Sequence, residues 1–136
     1  MLSAISIRNI VLIDQLDLML DRGMTALTGE TGAGKSILLD SLSLALGGRG
    51  DAALVRKGCP QGQVVATLHL PQEHLVRDLM RENEIEDDEE VILRRVQYAD
   101  GRTRGFINDQ PVSAKFLRQL GAHLIEIHGQ HDDRAL

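Results

Sequence analysis

Apolar and polar residues alternate from the start of the chain: Ile5 and Ile7 against Ser6 and Arg8 predict a half-buried strand over residues 3–10. Residues 16–20, Leu-Asp-Leu-Met-Leu, predict a second strand, and the Asp21-Arg22-Gly23 turn leads into a third, short and buried, over 24–28. The period then changes. From Ile37 to Leu46 the chain is built of helix formers, with Leu38, Leu42, Ala45 and Leu46 on one face, and Gly47-Gly48 supplies a helix stop. Residues 63–70 predict a strand with Val64, Ala66, Leu68 and Leu70 on one face; Pro71 ends it, and an amphipathic helix follows over 72–83 through Leu75, Leu79 and Met80. Residues 91–98 and 103–108 predict a hairpin around Asp100-Gly101, a dipeptide suited to the positive φ angles of a type I′ turn. A second turn over 108–111 precedes a helix over 113–121, capped by Ser113 and facing inward through Phe116, Leu117 and Leu120. Residues 124–128 close the pattern as a short buried strand, with Gly129-Gln130-His131 at its carboxyl end, where open α/β sheets hold ligand-contacting residues.

The elements describe one α/β unit with an antiparallel β-subdomain and no internal repeat. The transition at residue 28 carries the chemistry. Gly29-Glu30-Thr31-Gly32-Ala33-Gly34-Lys35-Ser36 matches the phosphate-loop pattern G-x-x-x-x-G-K-[ST] in the required strand–loop–helix context. Glycines allow the backbone N–H groups to close around phosphates, Lys35 would sit against the outer phosphates, and Ser36 would hold Mg²⁺. The helix N-terminus adds a favourable dipole.

Net charge is −5. Residues 1–70 carry six Lys/Arg and six Asp/Glu, whereas 71–136 carry nine and fourteen, with seven acids among the nine positions from Glu82 to Glu90. That block reads as a solvated loop or helix end. The following arginines, Arg94, Arg95, Arg102 and Arg104, fit either contact with DNA phosphates or balance of the acidic block. The single cysteine, Cys59, allows no internal disulfide and suits a reducing compartment. No apolar run approaches the roughly 18 residues a membrane span needs, and no basic-then-apolar leader opens the chain.

Other chemistries lack support. His123, His128 and His131 are not spaced as zinc ligands, and Cys59 has no local activating context. No GTPase guanine-recognition motif occurs, nor an apolar run ending in Asp-Glu, so the chain by itself is an incomplete hydrolytic site. Two readings from different classes remain on these grounds: an ATP-binding lobe of an ATPase, or a non-hydrolysing nucleotide-binding regulatory module. A small-molecule kinase would need a lid arginine and an acceptor pocket that the sequence does not offer.

The run Gly29 to Asp40 with Leu46-Gly47-Gly48-Arg49 resembles the RecN family, SMC-like ATPases of bacterial DNA double-strand-break repair. SMC-like cousins usually carry Asn-Gly where Thr31-Gly32 stands, and often Asn where Ile37 stands. The resemblance extends through Ile7-Arg8-Asn9, Leu54 to Gly58, Phe106-Ile107-Asn108 and Ile127 to His131. It implies a P-loop NTPase fold with a mixed sheet, the N-terminal half of an ABC-type head over residues 1–136. Gly29 to Ile37 would bind ATP, with Arg8, Asn9 and Arg56 near the nucleotide and Gln130 as the Q-loop glutamine reaching Mg²⁺ and the attacking water. Lys35 and Gln130 are the catalytic candidates. The resemblance further implies a coiled coil and a C-terminal half of the head beyond Leu136, a second head as homodimer partner, DNA as the target, and a cytoplasmic, nucleoid-associated setting without a membrane.

Overall fold

A computed structural model describes residues 2–19 and 32–135. The strand expected over 24–28, its preceding turn and Gly29-Glu30-Thr31 lie outside the described residues. Among the described residues six strands form one sheet: β1 (Leu2–Ile10), β2 (Ile13–Met19), β3 (Gln61–His69), β4 (Glu90–Tyr98), β5 (Thr103–Ile107) and β6 (Gln110–Val112). Their order is β2-β1-β3-β4-β5-β6, and every pairing is antiparallel. Among the described residues three α-helices accompany the sheet: α1 (Gly32–Ala45), α2 (Leu75–Glu82) and α3 (Ala114–Ala135).

Register carries the alternation of the sequence into two faces. Ile5 pairs with Ala66, Ala66 with Leu93, and Leu93 with Ile107, so one apolar row crosses four strands. Ile7 and Val64 form the adjacent row, and Leu16 and Leu18 of β2 pack against the same cluster. Leu38, Leu44 and Ala45 of α1, Val76 and Met80 of α2, and Leu117, Leu120 and Leu124 of α3 complete this core. Full burial of one such Leu or Ile contributes about 1.5–3 kcal/mol. The alternate positions, among them Ser6, Arg8, Gln63, Val65, Arg94, Arg104 and Phe106, line the opposite face.

The turns refine the expectations from sequence. At Asp100-Gly101 only Gly101 has positive φ (98°), and Tyr98 N–H bonds to the Arg102 carbonyl (2.9 Å). The hairpin exists, but its loop is the three-residue kind with glycine in the left-handed position, not a type I′ turn. Consecutive positive φ angles occur instead at Asn108 (47°) and Asp109 (68°), where Ile107 pairs with Gln110 and the chain turns back as β6. Pro111, which donates no hydrogen bond, is accommodated there because β6 is an edge strand.

Two helices also depart from expectation. Leu75 is 49% exposed; α2 buries Val76, Arg77 and Met80, its N-terminus capped by His74, whose Nδ1 accepts from Val76 N–H (3.0 Å). In α3 the helix continues through Gly121 and across residues 124–128, where a strand was expected. The reason is packing. A Cβ on Gly121 would lie 2.3 Å from the Leu46 carbonyl oxygen, so this glycine permits close helix approach instead of ending a helix. Leu117, Leu120 and Leu124 are buried at helical spacing, carrying one face past the glycine.

Candidate nucleotide-binding site

The phosphate-loop motif runs directly into α1. Among the described residues the helix already runs from Gly32, five residues ahead of where its apolar periodicity begins. Gly32, Ala33, Gly34 and Lys35 of the motif therefore fall in the first described turn of α1, and the first four N–H groups of any helix have no carbonyl partner within it. Unpaired amides at the positive end of a helix dipole are what a polyphosphate requires. Ser36 follows with its side chain exposed, and Ile37 is half-buried. The side chains of Gly32 to Lys35 lie outside the described set. This start, with an exposed Ser36, fits a nucleotide and its Mg²⁺.

The C-terminal end of α1 is fixed by two devices. Gly47, at φ 95°, donates to the Leu44 carbonyl (3.1 Å) and Gly48 to that of Ser43 (2.8 Å), a Schellman pair that confirms the helix stop read at Gly47-Gly48. Arg95 of β4 then reaches across: its Nη1 donates to the carbonyls of Leu44 (3.0 Å) and Gly48 (2.9 Å), and its Nε to Thr103 Oγ1 of β5 (2.6 Å). Arg95 is 1% exposed, and burial, followed by the nearby Arg118, pushes its pKa below the usual arginine value. A cation at this end complements the helix dipole. The sequence held the signal: alternation places Arg95 with Val91 and Leu93 on the inward side of β4.

The four hairpin arginines thus divide. Arg94 lies over the Phe106 ring at 4.0 Å, Arg104 is 5.8 Å from the same ring, and Arg102 pairs with Asp100 at 2.8 Å beside Tyr98. None of these recorded pairings goes to the acidic block. That task falls to α2: Arg77, buried, donates to Asp87 and to the carbonyls of Leu70, Pro71, Asp88 and Glu89, while Arg81 also pairs with Asp87 (2.9 Å). Most of the block is exposed, as expected, with Asp87 drawn inward.

The remaining site candidates separate. Asn9, at φ 53°, accepts Arg56 N–H at its carbonyl (2.8 Å), and the Arg56 guanidinium donates to the Leu12 carbonyl (3.0 Å). These two are thus brought together at the β1–β2 turn. Arg8 points to the other sheet face, where it forms a two-pronged pair with Asp17 (2.9 and 3.2 Å) and holds that carboxyl down to about 2. Gln130 lies within the last turns of α3, its side chain outside the described set, rather than following a strand.

A family model described as an AAA domain matches residues 4–131. The chain belongs to this AAA-domain family. Over its whole length it is 46% identical to DNA repair protein RecN of Vibrio cholerae and over its whole length 39% identical to that of Bacillus subtilis, covering 24% of each. It therefore spans about a quarter of the length of these curated relatives. Among solved structures, one reported under ATP-driven dimerization and DNA stimulated activation of SMC ATPases matches with TM-score 0.70 at 17% identity, over 90% of this chain and 78% of that one. The recombination mediator protein RecF matches with TM-score 0.62 at 16% identity, over 86% and 29%. At these identities the likeness is one of fold: this AAA-domain chain shares the fold of these SMC and RecF structures, with the antiparallel sheet described above. Among the described residues no helix is long and apolar enough to cross a membrane.

Proposed function

We propose that this chain is the ATP-binding lobe of a RecN-like ATPase acting in DNA repair and recombination. The observation that carries the reading is that Gly32 to Ser36 of the phosphate-loop motif lie in the first described turns of α1, in a chain whose whole length matches about a quarter of RecN. On this reading the chain forms the N-terminal half of an ABC-type head, and hydrolysis needs a C-terminal half and a second head. DNA is the target of the complete assembly, in the cytoplasm at the nucleoid.

Each residue then has a defined task. The amides of Gly32 to Lys35 bind phosphate oxygens, and the Lys35 ammonium offsets charge on the outer phosphates. Ser36 and Gln130 are the residues that would hold Mg²⁺, which when bound neutralises charge on the phosphate oxygens. Gln130 also orients the attacking water. Arg56 and Asn9, joined at the β1–β2 turn, lie near the nucleotide; Arg8, engaged by Asp17, contributes only if that pair opens.

Calorimetric titration with ATP and Mg²⁺ tests the binding step: saturable binding lost in Lys35→Ala supports it, and binding indifferent to Lys35 refutes it. Steady-state ATPase assays with a supplied C-terminal half test the second step. Lys35-dependent turnover appearing only in the mixture is the expected result.

A further inference from the structure

We infer that Arg95 is a positioning residue for nucleotide binding, acting through α1 on the phosphate loop at the far end of the helix. The inference rests on the ATP-binding reading and goes beyond it, because Arg95 stands at the opposite end of α1 from the motif.

Its surroundings tie the charge to the end of α1 and, among the described residues, to nothing acidic. The guanidinium is 1% exposed, and its hydrogen-bond acceptors, the carbonyls of Leu44 and Gly48 and the hydroxyl of Thr103, are all neutral. Among the described residues no carboxylate pairs with it, and its charged neighbour is another cation, Arg118. A buried cation without a carboxylate partner is costly, and here the carbonyls and dipole at the end of α1 and the Thr103 hydroxyl offset that cost.

What the guanidinium adds is geometry. One planar fork bonds two carbonyls at the end of α1, and its third donor bonds β5, so the helix end is fixed against both strands of the β4–β5 hairpin. Gly47 and Gly121 leave no slack around this point: a Cβ on Gly47 would lie 2.4 Å from the Arg118 nitrogen, and one on Gly121 2.3 Å from the Leu46 oxygen. The helix has 14 residues, contains no proline, and presses Leu38, Ser41, Leu44 and Ala45 onto the core, so it moves as a rod about 21 Å long. A shift or rotation at its C-terminus therefore reaches Gly32 to Ser36. Phosphate binding by converging amides tolerates displacements of only about 0.5 Å. Lysine would keep the charge but could not make the three bonds together.

The test uses the protein with a fluorescent ATP analogue and Mg²⁺, titrated well below the unfolding midpoint. Arg95→Met and Arg95→Lys are compared with Leu93→Ala, a core truncation on the same strand that serves as the stability control. The expected result is about tenfold weaker binding by the folded Met variant, partial recovery with Lys, and wild-type affinity in Leu93→Ala. Amide exchange in the first turn of α1 should rise with Arg95→Met and not with the control. If Arg95→Met does not fold, the comparison of Arg95→Lys with Leu93→Ala decides in the same way. Wild-type affinity in the Arg95 variants, with binding still lost in Lys35→Ala, overturns the inference and leaves the ATP reading standing. Wild-type protein that binds without regard to Lys35 overturns both.

Discussion

The guanidinium of Arg95, on the fourth strand, donates to the Leu44 carbonyl at 3.0 Å, across 51 positions of sequence. The bond joins the two parts of the chain with the most chemical content: the helix that begins at the phosphate loop, and the arginine-bearing hairpin. It also explains Thr103, whose hydroxyl accepts from Arg95 Nε (2.6 Å) while donating to the Val96 carbonyl (3.2 Å).

Thr103→Val tests that relay. Valine keeps the branched shape but leaves the Arg95 donor and the Val96 acceptor without their partner. An unsatisfied buried polar group costs about 1–3 kcal/mol, so the urea midpoint should fall by that equivalent with an unchanged slope. A midpoint equal to wild type would show that the hydroxyl has another substitute for its bonds.

Gly121→Ala sets two effects against each other. Helix propensity favours alanine by about 0.8–1 kcal/mol at an interior position. Against this, the new Cβ would stand 2.3 Å from the Leu46 oxygen, a backbone atom that cannot rotate away. Overpacking of that kind costs about 1–3 kcal/mol, so a net loss of stability is expected in thermal or urea unfolding. A stabilised variant would show that α3 can retreat from α1 freely.

Gly121 also shows where sequence reading ends. The strands were legible because alternation states which side is buried, and the start of the site was legible because the phosphate-loop pattern has a fixed spacing. A glycine near the end of an apolar period, however, reads the same whether it stops a helix or lets another backbone approach. Only the neighbour distinguishes these cases, and Leu46 is 75 positions away in the chain. Arg95 was half legible: its parity on β4 points inward, but its acceptors are carbonyls of a distant helix end. Arg77 was missed for the same reason, since the carbonyls it gathers come from residues 70–89 and have no side-chain signature.

Asp109→Gly should raise stability slightly. Asp109 sits at φ 68°, in the left-handed region, at the second central position of a two-residue hairpin, where glycine is preferred. A β-branched residue meets the steric penalty of that region, so Asp109→Val should lower stability by about 1–2 kcal/mol. Urea midpoints ordered Gly, Asp, Val from high to low check the assignment of this turn; Val equal to Asp would contradict it.

Asp17 supplies a pH dependence with a defined sign. The hydrogen bond from Arg8, then that from Ser6, holds its carboxyl at about 2, below the ordinary aspartate value of 3.8. A group whose pKa is depressed in the folded state stabilises it above the unfolded value and loses that contribution as pH falls through the folded one. The contribution of Asp17 is therefore present above about pH 4 and lost between there and about pH 2. Asp17→Asn should be less stable than wild type at pH 6, with the difference shrinking as the solution is acidified through this window. Denaturation midpoints at pH 6, 4 and 3 measure it, and a constant difference would show that Asp17 acts through its shape alone.

Arg77→Met is expected to be the most damaging single substitution outside the helix contacts. The arginine is 1% exposed and satisfies carbonyls from both ends of the α2 segment, so its loss strands Leu70, Asp88 and Glu89 together. Asp87, 18% exposed, keeps a partner in Arg81, which is itself half-exposed and too weakly held to replace a buried pair. Removing one member of such a pair costs about 3–5 kcal/mol. The damage should also be local in kind: without Arg77 the six acids of residues 84–90 lose a neighbouring cation, and that stretch should repel and open first. Hydrogen exchange that accelerates across residues 84–90 before β3 and β4 loosen is the expected pattern. Added salt should restore part of the lost stability, because it screens that repulsion. Uniform exchange with no salt response would mean that packing, not charge, is what Arg77 maintains.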